Sequence, residues 1–173
     1  MDSLITSPDN PRLKLIRKLL SSSTDRKKTK QCVIESPLFI RDIAHNHPDW
    51  IVFIVHIETL SFSTTAPTFF APESLLKTMA TGLFQGAFAV INRPDLPIEW
   101  EAPSLSLLYL DQLQNPANVG AILRNAAAFD LDGVLIGKGT VDPFHPDSIR
   151  ASAGTCFSLP IQDAVFELIP KNI

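Results

Sequence analysis

The chain has 173 residues, of which 45% are hydrophobic, so it is long enough for one full domain or two small ones. It contains no uncharged apolar run long enough to cross a bilayer, and its amino terminus has no secretory pattern. Its two cysteines match no zinc or disulfide framework. Composition therefore argues against membrane-spanning and disulfide-stabilised classes, and we expect a soluble, cytoplasmic protein with no membrane partner.

Positive charge is concentrated at the amino terminus, although the net charge of the chain is −3. Eight basic residues against three acidic ones give the first 30 positions a net charge of +5, which leaves −8 for the remainder. Because nucleic-acid affinity comes largely from phosphate neutralisation, this basic arm is a candidate RNA contact. A solvated helix face followed by a charged turn would explain the same pattern. The predicted RNA contacts in the arm are Arg12, Lys14, Arg17, Lys18, Arg26, Lys27 and Lys28.

The first ninety residues alternate between helical and strand patterns, which predicts a small α/β domain over residues 1–92. Asn10 and Pro11 predict the start of a helix, since Asn caps helices and Pro suits their first position. Three basic residues share one face of that helix. Residues 21–30 are polar and lack periodicity, which predicts a mobile loop. Strands are then predicted at 32–34, 50–57 and 87–91, and helices at 37–44 and 72–79.

Three prolines between residues 93 and 104 predict an interdomain linker. The strand pattern that follows is almost purely apolar, as is typical of a sheet covered on both faces. Alternating strands and helices then predict the start of a parallel, doubly wound sheet over residues 105–173. The predicted strands are 105–110, 133–136 and 157–161, and the predicted helices are 117–129, 147–153 and a last one from 163.

The loop after the first of these strands is the strongest candidate for a functional site, because ligands bind open parallel sheets at the carboxyl ends of their strands. Asn118 stands where the N-cap of the following helix is predicted. Gly120 permits the close approach of another backbone, and Arg124 is predicted to project from the second turn. From spacing alone, Asn118 could be an ordinary helix cap and Arg124 a partner in a surface salt bridge.

This stretch, LDQLQNPANVGAILRNAAAF, resembles the first signature motif of the SpoU (TrmH-like) branch of the SPOUT RNA 2'-O-ribose methyltransferases. The later RASAGTCFSLPI is similar to that family's next segment. Its basic residue, Arg150, is predicted either to contact RNA phosphate or to pair with an acidic neighbour. The segments ITSPDNPRLKLIRKLL and CVIESPLFIRDIA resemble the family's substrate-binding domain.

The resemblance implies a small amino-terminal α/β domain similar to a ribosomal protein, followed by the first half of a parallel-sheet SPOUT (α/β knot) domain. It also implies methyl transfer from S-adenosylmethionine to a ribose 2'-hydroxyl of rRNA or tRNA, with Arg124 activating that hydroxyl and Asn118 orienting it. Because Arg is rarely deprotonated in a protein, we predict that Arg124 acts as a fork on the neighbouring phosphate. Proton removal is then left to phosphate or water.

Nothing after Ile161 resembles the family's glycine-rich and Ser/Asn-containing segments, which form its knot and cofactor pocket. We therefore expect the cofactor-binding residues beyond Ile173, little or no binding of S-adenosylmethionine and no activity by this chain alone, and a homodimer for the complete protein. The alternatives are a non-catalytic RNA-binding fragment and a small-nucleotide-binding protein unrelated to RNA. His45 and His47 have no further ligand cluster nearby in the sequence, so no metal site is predicted.

Overall fold

The computed structural model describes residues 3–166 and divides the chain into two compact units, Met1–Arg93 and Pro94–Ile173. Within the described part, no helix combines the length and the apolar character that a membrane crossing requires.

The first unit is a mixed β-sheet with helices packed on it. Its helices are α1 (Pro11–Ser21), α2 (Ser23–Thr29), α3 (Pro37–Asn46) and α4 (Glu73–Lys77). Its strands are β1 (Ser3–Leu4), β2 (Gln31–Ile34), β3 (Ile51–His56), β4 (Thr68–Phe70) and β5 (Ala87–Asn92). The strands lie in the order β1-β4-β3-β5-β2. The β1/β4 and β3/β4 pairs are parallel, whereas β2/β5 and β3/β5 are antiparallel.

Helix α1 begins where the sequence predicts. The side chain of Asn10 accepts a hydrogen bond from the backbone N–H of Arg12 at 2.9 Å, and Pro11 occupies the first helical position. Leu13 and Ile16 are fully buried and belong to the main core cluster of this unit. The same helix therefore presents one apolar face to the core and leaves its basic residues at the surface.

The predicted mobile loop at 21–30 is wrong, because most of this segment is helix α2. Ser22 caps the helix by accepting a hydrogen bond from the N–H of Asp25 at 3.2 Å, and Lys30 ends it in a left-handed conformation with φ of 53°. The helix carries no apolar stripe, so hydrophobic periodicity could not reveal it. The short strands β1 and β4 are also absent from the sequence prediction, since two and three residues are too few for a period to register.

The second unit contains a parallel three-stranded sheet, as predicted. Its strands β6 (Leu107–Leu110), β7 (Gly133–Ile136) and β8 (Ile161–Asp163) lie in sequence order. Helix α5 (Pro116–Ala128) connects β6 to β7, and α6 (Pro146–Ala151) lies between β7 and β8. Strand–helix–strand connections of this kind place the loops after β6 and β7 at the same edge of the sheet.

Two predictions differ from the structure near the end of this unit. The strand predicted at 157–161 is displaced, because Thr155–Phe157 is a 3₁₀ helix and strand β8 begins at Ile161. The ring of Phe157 is buried against Phe144, with centroids 5.7 Å apart. Phe157, one of the apolar residues that suggested a strand, is therefore buried, but it lies in a 3₁₀ turn. The helix predicted from residue 163 does not begin there, since β8 includes Asp163, and its remainder from 167 lies outside the described residues.

The predicted linker at 93–104 is irregular in structure, but part of it packs on the second unit. Ile98 is buried, and a Cβ built on Gly133 would lie 2.9 Å from its Cγ1 atom. Gly133, the first residue of β7, therefore leaves the space that Ile98 fills. From Pro94 onward this stretch belongs to the second unit.

Candidate active-site helix and RNA interface

The loops after β6 and β7 are joined by hydrogen bonds at the carboxyl edge of the sheet. The hydroxyl of Thr140 donates to the carbonyl of Leu110 at 2.8 Å and accepts from the N–H of Leu113 at 3.3 Å. The N–H groups of Gly137 and Val141 donate to the carbonyls of Leu110 and Leu113, each at 2.8 Å. Two loops that are distant in sequence thus form one connected edge, from which α5 begins.

Helix α5 is capped by Asn115, and this corrects the prediction that Asn118 occupies the cap. The Asn115 side chain accepts hydrogen bonds from the backbone N–H groups of Ala117 and Asn118, at 2.9 and 3.2 Å. Asn118 is the third residue of the helix, and it is exposed. Asn115 and Pro116 form the same Asn-Pro pair that begins α1. The sequence therefore carried the signal from which this cap could have been predicted. Because capping is done by Asn115, the side chain of Asn118 is not needed for it.

Gly120 fixes α5 against α6, as its predicted role requires. A Cβ at this position would lie 2.3 Å from the carbonyl oxygen of Ser148 and 2.7 Å from the Cβ of Ala151. The fully buried Ser148 hydroxyl also donates to the carbonyl of Pro116 at 2.9 Å. The two helices therefore meet through backbone contact. The buried face of α5 is defined by this contact and the sheet. Within residues 94–166 the opposite face is open, in that its residues Asn118 and Arg124 are exposed.

Arg124 lies on that open face. It stands in the third turn of α5, not in the predicted second, and it is exposed. Among residues 3–166 it has neither a hydrogen-bond nor an ion-pair partner, so the salt bridge considered as its ordinary explanation is not present there. Asn118 and Arg124 flank the exposed face, about 9 Å apart along the axis at about 1.5 Å per residue. Their predicted roles toward RNA remain predictions.

Arg150 adopts the second of its two predicted arrangements. Its Nη1 atom donates to Oδ1 of Asp147 at 2.6 Å within α6. The N–H of Asp147 in turn donates to Nδ1 of His145, the capping residue of α6, at 3.2 Å. Arg150 is thus bound to an acidic neighbour near the start of its own helix. Contact with RNA would have to compete with that pair.

Arg26 corrects the largest error in the predicted RNA interface. It is 1% exposed, and its Nη1 atom donates to the carbonyls of Leu19 and Leu20 at 2.6 and 3.3 Å. These carbonyls belong to the last turn of α1, where backbone acceptors lack partners within the helix. The guanidinium therefore ties α2 to the end of α1, and burial keeps it from RNA phosphate.

Other cations of the arm are engaged at the surface. The Nζ atom of Lys14 lies 2.9 Å from Oδ1 of Asp9, and Nζ of Lys18 lies 2.8 Å from Oδ1 of Asp25. Nη1 of Arg17 donates to the carbonyl of Pro8 at 2.7 Å. Of the remaining predicted contacts, Arg12 has its guanidinium carbon over the ring of Phe69, and Lys27 and Lys28 are exposed on α2.

The ion pairs of the arm lower the pKa values of their carboxyl groups. Hydrogen bonding and attraction to Lys14 lower the pKa of Asp9, and a hydrogen bond to Lys18, followed by one to Ser22, lowers the pKa of Asp25. In the second unit, burial raises the pKa of Cys156 to about 12. This thiol is therefore not a nucleophile at neutral pH.

One of the two histidines considered as metal ligands has an aromatic partner. His47 stacks on Trp50 with ring centroids 3.9 Å apart and an angle of 6° between the planes. Among residues 3–166, no group of three or more His, Cys, Asp or Glu side chains could hold a metal ion.

Comparison with known proteins places the candidate helix within a family segment. Residues 106–167 match the SpoU rRNA Methylase family. Over 97 residues the chain is 35% identical to mitochondrial rRNA methyltransferase 3 of Mus musculus, covering 51% of this chain and 23% of that protein. Over 66 residues it is 36% identical to the 23S rRNA (guanosine(2553)-2'-O)-methyltransferase RlmP of Bacillus subtilis, covering 38% and 27%. The chain thus spans about a quarter of the length of these relatives.

The fold also matches a solved structure over most of the chain. The AdoMet-bound rRNA methyltransferase from Sinorhizobium meliloti aligns with a TM-score of 0.77 and 24% identity, covering 95% of this chain and 66% of that one. The resemblance found in the sequence is thereby confirmed. Residues 106–167 thus match the SpoU rRNA Methylase family model, and the chain has the α/β fold of this solved methyltransferase.

Proposed function

We propose that this protein takes part in transfer of a methyl group from S-adenosylmethionine to a ribose 2'-hydroxyl of rRNA or tRNA. The observation that carries the proposal is the open face of α5, where Asn118 and Arg124 are exposed and Arg124 has no ion-pair partner among residues 3–166. Support comes from relatives: the Bacillus subtilis protein is a 2'-O-methyltransferase of 23S rRNA, and the Sinorhizobium meliloti structure contains AdoMet.

Arg124 acts on the substrate by position and charge. Its guanidinium carries donors in a planar fork that matches phosphate oxygens, so it grips the phosphate beside the target nucleotide and fixes the ribose. Asn118 offers an amide that can donate to or accept from the 2'-hydroxyl and orient it. Holding the hydroxyl in one orientation converts binding geometry into rate.

The guanidinium remains protonated throughout, because arginine side chains are not deprotonated in proteins. Arg124 therefore does not remove the hydroxyl proton. The proton leaves to the neighbouring phosphate or to water, and the positive charge of Arg124 stabilises the oxygen as it becomes more nucleophilic.

S-adenosylmethionine supplies the electrophilic methyl group when bound, but residues 94–166 do not fit it by themselves. In this part of the chain, no buried side-chain N or O atom lacks a hydrogen-bond partner. At the carboxyl end of β7, a Cβ on Gly137 would lie 2.4 Å from the Tyr109 hydroxyl, so that side chain already fills the space. The roles given to Asn118 and Arg124 therefore concern the RNA alone.

The test is methylation of unmodified rRNA and tRNA transcripts by the protein as its gene encodes it, with S-adenosylmethionine labelled at the methyl group. Methylation of a 2'-hydroxyl protects the adjacent phosphodiester from alkaline cleavage, because that oxygen is the attacking nucleophile. We expect label in alkali-resistant dinucleotides, with almost none for Arg124→Ala. Arg150→Ala is the matched control, since Arg150 is already paired with Asp147. Label confined to methylated bases, or equal labelling by Arg124→Ala, would contradict the proposal.

A further inference from the structure

Arg12 and Phe69 form a close stack on the surface of the first unit. The guanidinium carbon of Arg12, in the first turn of α1, lies 3.9 Å from the centroid of the Phe69 ring on β4. Both residues are partly exposed. At this distance the charged group lies against the ring face, where the ring quadrupole attracts a cation.

Both members of the stack are held by the fold. The backbone N–H of Arg12 donates to the Asn10 side chain at 2.9 Å, which fixes the start of α1. Phe69 pairs in register with Val55, and its ring contacts Phe53 edge-on, with centroids 6.4 Å apart and planes at 78°. The stack is therefore a preformed feature, positioned by a capped helix on one side and a sheet on the other.

The usual explanation for such a residue is that a long side chain covers apolar surface with its methylenes and keeps its charged head in water. Here the guanidinium carbon itself lies over the ring. Unlike Lys14 and Lys18 in the same helix, Arg12 has no carboxylate partner among residues 3–166. Within the described residues its charge is therefore not neutralised by a carboxylate, and its side chain is partly exposed.

We propose that Arg12 and Phe69 form a platform on which an unpaired RNA base stacks. Sequence-specific and single-stranded RNA recognition uses bases that stack on aromatic rings and on Arg planes. Bases within a duplex are already stacked, so the platform selects loops, bulges or ends. This inference rests on the proposed function insofar as the ligand is RNA, and it adds the structural class of RNA that the first unit recognises.

The experiment compares binding of the full chain to an unpaired oligonucleotide containing 2-aminopurine and to a duplex of the same sequence. Arg12→Lys keeps the positive charge and removes the plane. We expect it to weaken binding of the unpaired RNA by roughly 5- to 100-fold, to relieve the fluorescence quenching caused by stacking, and to leave duplex binding unchanged. Arg41→Lys is the matched control, since Arg41 lies 5.5 Å from the Phe62 ring in a looser pair, and it should change binding less than about twofold.

A double-mutant cycle with Phe69→Leu separates stacking from simple attraction. If the two residues act as one platform, Arg12→Lys should cost much less in the Phe69→Leu background than in the native chain. Native binding of Arg12→Lys to unpaired RNA, or equal losses on unpaired RNA and duplex, would overturn the platform while leaving the proposed function intact. Failure of the native chain to bind either RNA would overturn the platform and the RNA-directed function together.

Discussion

The basic arm of the first unit and helix α5 of the second differ in how far their cations are paired or buried. The arm carries a net charge of +5 over 30 residues, yet Lys14 and Lys18 are paired with carboxylates and Arg26 is buried. Helix α5 carries one cation, Arg124, which is exposed and unpaired among residues 3–166. Formal charge alone therefore does not show which cations are buried, paired or exposed.

The physical reason lies in what surrounds each cation. The acidic residues of the arm stand within reach of its lysines, so pairs form between neighbouring parts of the chain. The exposed face of α5 contains Ala and Asn, which cannot neutralise an Arg. Exposed pairs are worth only about 0–1 kcal/mol, so phosphate can exchange with the Asp partners of the arm. We therefore expect the lysines of the arm to attract RNA phosphates without a fixed geometry. Arg124 is expected to hold one phosphate in a fixed position.

Arg124→Ala should give the largest effect. In the protein as its gene encodes it, we expect the single-turnover methylation rate to fall by about 100-fold or more, because loss of positioning removes rate more than affinity. RNA affinity should fall only a few-fold. The measurement is single-turnover methylation beside filter binding. Equal losses of rate and affinity would make Arg124 one more phosphate contact and erase the contrast with the arm.

Arg26→Met tests whether the arm contains a structural cation. The change removes hydrogen bonds to two carbonyls at the end of α1, and we expect it to lower the free energy of unfolding by about 3 kcal/mol. Denaturant unfolding measures this effect. Lys28→Ala, at an exposed position of the same helix, should change stability by less than about 0.5 kcal/mol. If Arg26→Met unfolds like the native chain, Arg26 is available for another role.

Gly120→Ala tests whether the open face of α5 depends on close packing beneath it. The new Cβ would clash with the carbonyl oxygen of Ser148, so the two helices must separate. We expect a loss of about 1–3 kcal/mol in the free energy of unfolding. Ala128→Ser, on the exposed side of α5, serves as the control and should stay within about 0.5 kcal/mol. Native stability of Gly120→Ala would show that α5 and α6 can shift without cost.

Asp25→Asn tests whether the ion pair between Lys18 and Asp25 weakens RNA binding by the arm. Removing this carboxylate releases Lys18, so we expect tighter RNA binding and a salt dependence steeper by about 0.7 for one added phosphate contact. Lys28→Ala should flatten the dependence by a similar amount. Filter binding across a salt series measures both changes. An unchanged slope for Asp25→Asn would indicate that Lys18 already exchanges freely with RNA.

Acid titration should show the smallest effect. Because the pKa of Asp25 is lowered in the folded protein, its contribution to stability is present above its unfolded value of 3.8 and is lost as pH falls through the lower folded value. Asp25→Asn should therefore flatten the dependence of stability on pH below about 4. Glu101→Gln, at an exposed position, provides the comparison. Identical acid profiles for the native chain and Asp25→Asn would contradict a stabilising pair with Lys18.

The elements that sequence predicts well are those whose signals are local. Asn10-Pro11 begins α1, because capping and a fixed φ angle act within one turn. The apolar run at β6 and the strand–helix alternation after it indicate the parallel sheet. The segment around Asn118 and Arg124 indicated the resemblance to the SpoU family without any tertiary information, and residues 106–167 match that family's model.

Other features depend on contacts between distant residues, and only the tertiary structure decided them. The sequence predicts that Arg26 is a surface charge. In the structure it is buried, because it donates hydrogen bonds to carbonyls that lack partners at the end of α1. The stack of Arg12 on Phe69 joins residues 57 positions apart, a contact that no local pattern encodes. Sequence alone thus determined the fold class, the start of α1 and the resemblance to the SpoU family. Which of its cations are buried, paired or open depended on the packing of helices against sheets, because availability is a property of a side chain's neighbours in space and not of its type.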